Sequence, residues 1–178
     1  MATEKQPKIK LKAETTDHLL DLFLFVLLAI IVAISIYGLV VLPNEIPVKY
    51  DGNHNAISYG SKMVLLIVPF MALVLGFALR WLKNYPHIFN YPYKITERNI
   101  ETQYRLAQRL VMWINIIETM MFAYLSVTGI ISAQRQHSVT DMRIAVGLAL
   151  LLFVAIFVYL RKAKALSLSG NYSPPQSR

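Results

Sequence analysis

Cysteine is absent from this 178-residue chain, which excludes disulfides, thiolate nucleophiles and Cys-ligated metal and leaves the redox compartment unread. Histidine is scarce: the four, at 18, 54, 87 and 137, form neither an HxxxH nor an HExxH spacing, so no zinc site is expected. No serine sits in G-x-S-x-G, and there is neither a P-loop nor a GxGxxG. The nearest approach to a catalytic constellation is His87, Asn90 and Asn99, for which no nucleophile or oxyanion partner can be named. The chain is therefore expected to be no enzyme and to need no cofactor. Charge is thin too, at 16% of residues against about 25% in soluble domains, while 56% are hydrophobic.

The charge is missing from four places above all. Leu19 to Leu42 holds one acidic residue, Asp21, near its start; Met63 to Leu79, Leu110 to Ile131 and Ile144 to Leu160 carry only Glu118 between them. Crossing about 30 Å of hydrocarbon takes roughly 17–25 helical residues, and each stretch falls in that range. A soluble helix is polar on one face, whereas these are apolar around most of their circumference. The expectation is an all-α integral membrane four-helix bundle, one domain over 19–165, between a solvated tail at 1–18 and a flexible tail at 166–178. The first apolar run is too long for a signal peptide and leaves through Val40-Val41-Leu42-Pro43 without an A-x-A site, so it reads as a retained span.

The net charge of +8 is sorted by side. Lys5, Lys8, Lys10 and Lys12 precede the first span; Arg80, Lys83, Lys94, Arg98, Arg105 and Arg109 lie between spans two and three; Arg161, Lys162, Lys164 and Arg178 follow span four. The other two loops hold only Lys49, Lys62, Arg135 and Arg143. The positive-inside rule then places both termini in the cytoplasm, N-in and C-in. Anionic headgroups beside these residues account for the basic balance, with no nucleic acid partner expected.

Two connections carry most of the remaining information. In residues 43–62, Pro43 ends the first helix, Asp51-Gly52 signals a turn, and Ile46, Val48, Tyr50, Ile57 and Tyr59 alternate with polar neighbours. That pattern predicts a short extended arm on each side of the turn and an ordered external cap, with a flexible tether as the alternative. Residues 80–109 are rich in aromatics, with Pro86 and Pro92 holding the backbone extended. Thr96 is placed to cap a third helix, Glu101 and Arg105 form an i,i+4 pair, and the helix extends into the cytoplasm as a rod of about 35 residues and roughly 50 Å. This platform, with His87, Asn90, Tyr91 and Asn99, reads first as an interfacial anchor and second as a docking surface for a cytoplasmic protein.

The run Leu42-Pro43-x-x-Ile46-Pro47-Val48-x-Tyr50, followed by Tyr59-Gly60-Ser61-Lys62, resembles the signature of the domain-of-unknown-function 1648 family of bacterial membrane proteins. Tyr85-Pro86-His87-Ile88-Phe89-Asn90-Tyr91-Pro92 through Ile95-Thr96-Glu97-Arg98-Asn99 is similar to the segment many of these proteins carry between spans two and three. The likeness covers residues of roughly 20–125. Lys49 stands where that family usually has histidine, His54 where it has glycine and Ile57 where it has aspartate. With a reference pKa of about 10.4, Lys49 is no neutral-pH metal ligand. The resemblance implies a bacterial inner-membrane location and kinship with Sdp-type immunity proteins, which protect against a secreted peptide toxin.

Within the bilayer, Glu118 stands out, with Asn115 three residues earlier. An acidic residue at helix centre costs about 2.5–3.5 kcal/mol, so Glu118 is expected to face the bundle with a partner among the hydroxyls of Ser35, Tyr37, Thr119, Tyr124, Ser126 and Thr128. It either carries a proton or cation or makes an interhelical hydrogen bond. Four spans without duplication or GxxxG leave homo-oligomers open. The expected work is non-catalytic: recognition of an extracytoplasmic peptide at Lys49, Tyr50, Asp51, His54, Tyr59 and Lys62. A small transporter or ion-coupled component using Glu118 is the alternative.

Overall fold

The computed structural model describes residues 6–9 and 11–170. Four helices dominate: α1 (Thr15–Val41), α2 (Ile67–Leu82), α3 (Ile100–Arg135) and α4 (Met142–Gly170). Each is long and apolar enough to cross a membrane, α2 together with the 3-10 turn Lys62–Leu66 that leads into it. The fold is not wholly helical, because β1 (Glu45–Tyr50) and β2 (Ala56–Ser61) pair as an antiparallel hairpin between α1 and α2.

Several boundaries differ from those expected, each for a local reason. Helix α1 begins at Thr15, inside the stretch read as a tail, because Glu14 and Asp17 cap one another reciprocally, the Glu14 N–H donating to Asp17 Oδ2 at 2.8 Å. Helix α3 begins at Ile100, and Thr96 is not its cap. The Asn99 side chain instead accepts from the Thr96 N–H at 2.8 Å and donates to the Lys94 carbonyl, fixing a turn ahead of the helix. Helix α4 continues through 166–170, which were read as flexible tail; residues 171–178 of that tail lie outside the described residues. Gln6 and Pro7, within the stretch expected to be a solvated tail, are docked as well. Tyr104 donates its hydroxyl to the Pro7 carbonyl at 3.1 Å, and Gln6 Nε2 donates to the Phe89 carbonyl at 3.3 Å.

The bundle is not a closed ring of four. α3 is the central rod against which α1, α2 and α4 each pack, α1 also meets α2, and α4 rests chiefly on α3. The core gathers Leu24, Leu28 and Ile31 of α1, Ala72 of α2, and Met112 and Ile116 of α3. Lipid supplies no hydrophobic drive between helices, so close backbone approach and interhelical hydrogen bonds do the joining. Gly38 allows the first: a Cβ there would meet Ile130 Cδ1 at 2.8 Å. Asn115, fully buried, supplies the second by donating to the Gly76 carbonyl of α2 at 2.8 Å. On the outer flank, Gln103 donates to the Ala163 carbonyl of α4 at 3.0 Å.

At the end of the molecule opposite the hairpin, carboxylates of α1 meet cations of α2 and α3. Asp21 pairs with Arg80 at 3.2 Å and Lys83 at 2.5 Å. Arg105 lies 3.0 Å from Glu14 and 3.4 Å from Glu101, and Arg109 also pairs with Glu14. These four cations, assigned to headgroups by the sequence, are therefore partnered within the protein.

Candidate functional site

The hairpin pairs Glu45 with Ser61, Ile46 with Gly60 and Pro47 with Tyr59, with irregularities between Pro47 and Tyr50. Its tip is organised by Asp51, whose Oδ1 accepts from the Asn53 and Asn55 N–H groups at 2.9 and 2.8 Å. Those donors hold the Asp51 carboxyl below its ordinary value. The left-handed residue of the turn is His54, at φ 66°, and not Gly52.

The tip is tied to the α3–α4 connection. Ser138 donates its N–H to the His54 carbonyl at 2.8 Å, Asn55 bridges to His137, and the two imidazole rings lie 5.7 Å apart. That connection is itself anchored to α3: the Ser132 hydroxyl accepts from the Val139 N–H at 3.0 Å, and the Tyr124 hydroxyl accepts from the Asp141 N–H at 2.7 Å. Gln136, at φ 56°, closes α3 and turns the chain back.

Between hairpin and helices lies a cavity of about 250 Å³. Ile46, Pro47 and Val48 roof it, Leu65, Val68 and Leu125 form apolar walls, and hydroxyls enter from Ser35 of α1, Ser126 and Ser132 of α3, and Ser138 and Thr140 of the connection. Among the described residues no charged side chain lines it. Ser126 is 5% exposed and its Oγ has no hydrogen-bond partner among the described residues, an unmet group that a ligand or water would satisfy. Tyr50 also faces the cavity, and burial pushes its phenol above the ordinary value, with the Ser132 hydroxyl opposing that shift. Gly129 sits on the cavity wall, where an added Cβ would meet nothing within 4 Å.

Of the six loop residues expected to bind a ligand, only Tyr50 lines this cavity. Lys62 donates Nζ to the Leu42 carbonyl at 3.1 Å, satisfying the C-terminal end of α1. Asp51 and His54 shape the tip, while Lys49 and Tyr59 are exposed. Of the α3 hydroxyls that line the cavity, Ser126 is expected from the sequence only as a partner of Glu118, and neither it nor Ser132 as a site. Their signal was Ser126-x-x-Gly129-x-x-Ser132, small residues at helical spacing in an apolar span.

Glu118 lacks the partner expected of it. It is half-buried on the flank of α3 and makes no hydrogen bond or ion pair among the described residues. Thr119 donates to the Asn115 carbonyl and Thr128 to the Tyr124 carbonyl, so both serve their own helix. On the opposite platform Tyr91 stacks on Tyr104 at 5.5 Å and donates to the Pro86 carbonyl at 2.9 Å; burial raises its phenol strongly. No hydrogen bond joins His87, Asn90 and Asn99 among the described residues: Asn99 is consumed in its turn and Asn90 is exposed.

Four membrane-length helices, three of them packed on α3 as a central rod and capped at one end by a docked hairpin, define a multi-pass α-helical membrane protein. No family model, curated protein or solved structure matches the chain.

Proposed function

We propose that this protein is a non-catalytic multi-pass component of a bacterial inner membrane, both termini in the cytoplasm, that recognises an extracytoplasmic peptide through the cavity beneath its hairpin. The observation that carries the reading is the unpartnered, buried Ser126 hydroxyl in a charge-free cavity roofed by the hairpin. Such a chamber suits an uncharged, largely apolar moiety with one or two hydrogen-bonding groups. The skew of Lys and Arg supports the orientation. The resemblance to the domain-of-unknown-function 1648 family, with its kinship to immunity proteins, supports a toxin-like peptide. The residues carrying that resemblance build the cap: Ile46 and Pro47 roof the cavity, Gly60 makes room for Val48, and Lys62 closes α1.

The test is survival of a deletion strain and complemented strains challenged with membrane-active peptides from neighbouring bacteria. Gly129→Leu, which fills the cavity, and Ser126→Ala should each lose selective protection while the protein still accumulates in the membrane. Lys49→Ala should retain it. The ion-coupled alternative rests on Glu118 standing unpaired in α3. Protection that survives Gly129→Leu and disappears in Glu118→Gln would replace the first reading with the second.

A further inference from the structure

Because α4 leans chiefly on α3, the side of that pair facing α1 is left open. A groove of about 660 Å³ runs there, with Phe23 of α1 at one edge and Leu110, Trp113 and Met120 of α3 facing Leu151 and Val154 of α4. Near the end opposite the hairpin it continues into a hollow of about 330 Å³ that shares Leu106, Arg109 and Lys162 with it and adds Arg105. Every charged side chain lining either space is a cation. Arg105 and Arg109 pair with Glu14, Asp17 and Glu101, whereas the Lys162 ammonium makes no ion pair or hydrogen bond among the described residues. From Lys162 to Leu151 is eleven residues of helix, about 16 Å, which is close to half of a hydrocarbon core about 30 Å thick.

We infer that this groove is a binding site for an anionic phospholipid, its acyl chain along Trp113, Met120 and Leu151 and its phosphate at Lys162 and Arg109. An apolar trough one leaflet long that opens on cations matches the shape and charge of such an amphiphile. A second copy of the chain matches it poorly. Residues 142–170 contain no Asp or Glu, so a neighbouring α4 would set cation against cation.

The experiment places the full chain, with Trp81→Phe so that Trp113 is the remaining indole, in phosphatidylcholine vesicles carrying brominated phosphatidylglycerol or, separately, brominated phosphatidylcholine at equal mole fraction. Quenching of Trp113 by the anionic lipid should be the stronger. Lys162→Ala should reduce the apparent preference about fivefold, the factor one basic residue near the surface supplies. Ala155→Phe, which crowds the groove and leaves the cations in place, should weaken quenching by both lipids. Lys164→Ala removes a nearby cation that does not line the groove and should change nothing. Equal quenching by the two lipids, an equal loss in Lys164→Ala, or a Trp113 shielded from both because a second copy covers it would overturn the assignment. Circular dichroism of each variant confirms that the helices are retained.

Discussion

Two glycines of similar sequence context have opposite roles at the scale of single residues. At Gly38 a methyl group would press on Ile130 at 2.8 and 2.9 Å, and Ile130 is itself buried between α1 and α3. Gly38→Ala should cost about 1–3 kcal/mol, the usual range for overpacking. Gly129 lines the cavity and borders open space, so Gly129→Ala should stabilise by about 0.5–1 kcal/mol through helix propensity alone. Thermal unfolding of the two variants in one detergent checks the difference in sign. Nothing in the sequence distinguishes these glycines, because what matters is the atom across the gap. Asn115 and Glu118 make the same point for polar groups. Their spacing of three suggested one shared role, yet Asn115 joins α2 through Gly76 and Glu118 stays alone on the flank.

Among the elements, the hairpin is the most conditional, since an isolated two-stranded ribbon is marginal in water. Here its roof residues pack on α3 and its tip is hydrogen-bonded to residue 138, so its order depends on the α3–α4 connection. Asp51 makes that order sensitive to acid. Its folded carboxyl is held below the ordinary value near 3.8, so the stabilisation is fully present above that value and is lost as pH falls through the lowered one. The amide resonances of Asn53 and Asn55 should therefore hold steady from neutral pH to below 3.8 and then shift as the tip opens. In Asp51→Asn the transition should vanish. The alternating Ile46, Val48 and Tyr50 marked the first arm in the sequence, but the contacts that hold it are with a segment some eighty residues away.

For the molecule as a whole, the ion pairs at the end opposite the hairpin fix how the first three helices meet. Asp21 is the carboxylate that Arg80 and Lys83 share among the described residues. Asp21→Ala should leave both cations unpaired and cost about 1 kcal/mol, well below the 3–5 kcal/mol of a fully buried pair because water reaches the site. The melting temperature of the natural chain should fall as salt is raised, and that of Asp21→Ala should respond less. The same pairing makes the basic side less available to lipid than the residue count implies, and among the described cations that line the groove it is Lys162 that keeps no ion pair.

The sequence by itself determined the number of spans, their approximate limits, the sorting of charge and the two strand arms, because burial in hydrocarbon demands long uncharged runs and a pleated strand demands alternation. It did not determine which helix is central, that α4 stands apart, or that a hydroxyl-lined cavity lies under the hairpin. An apolar span carries no sequence contrast between the face that meets lipid and the face that meets another helix. Those facts were decided by which small residues let backbones approach and which polar groups found partners, and both depend on residues far apart in the chain.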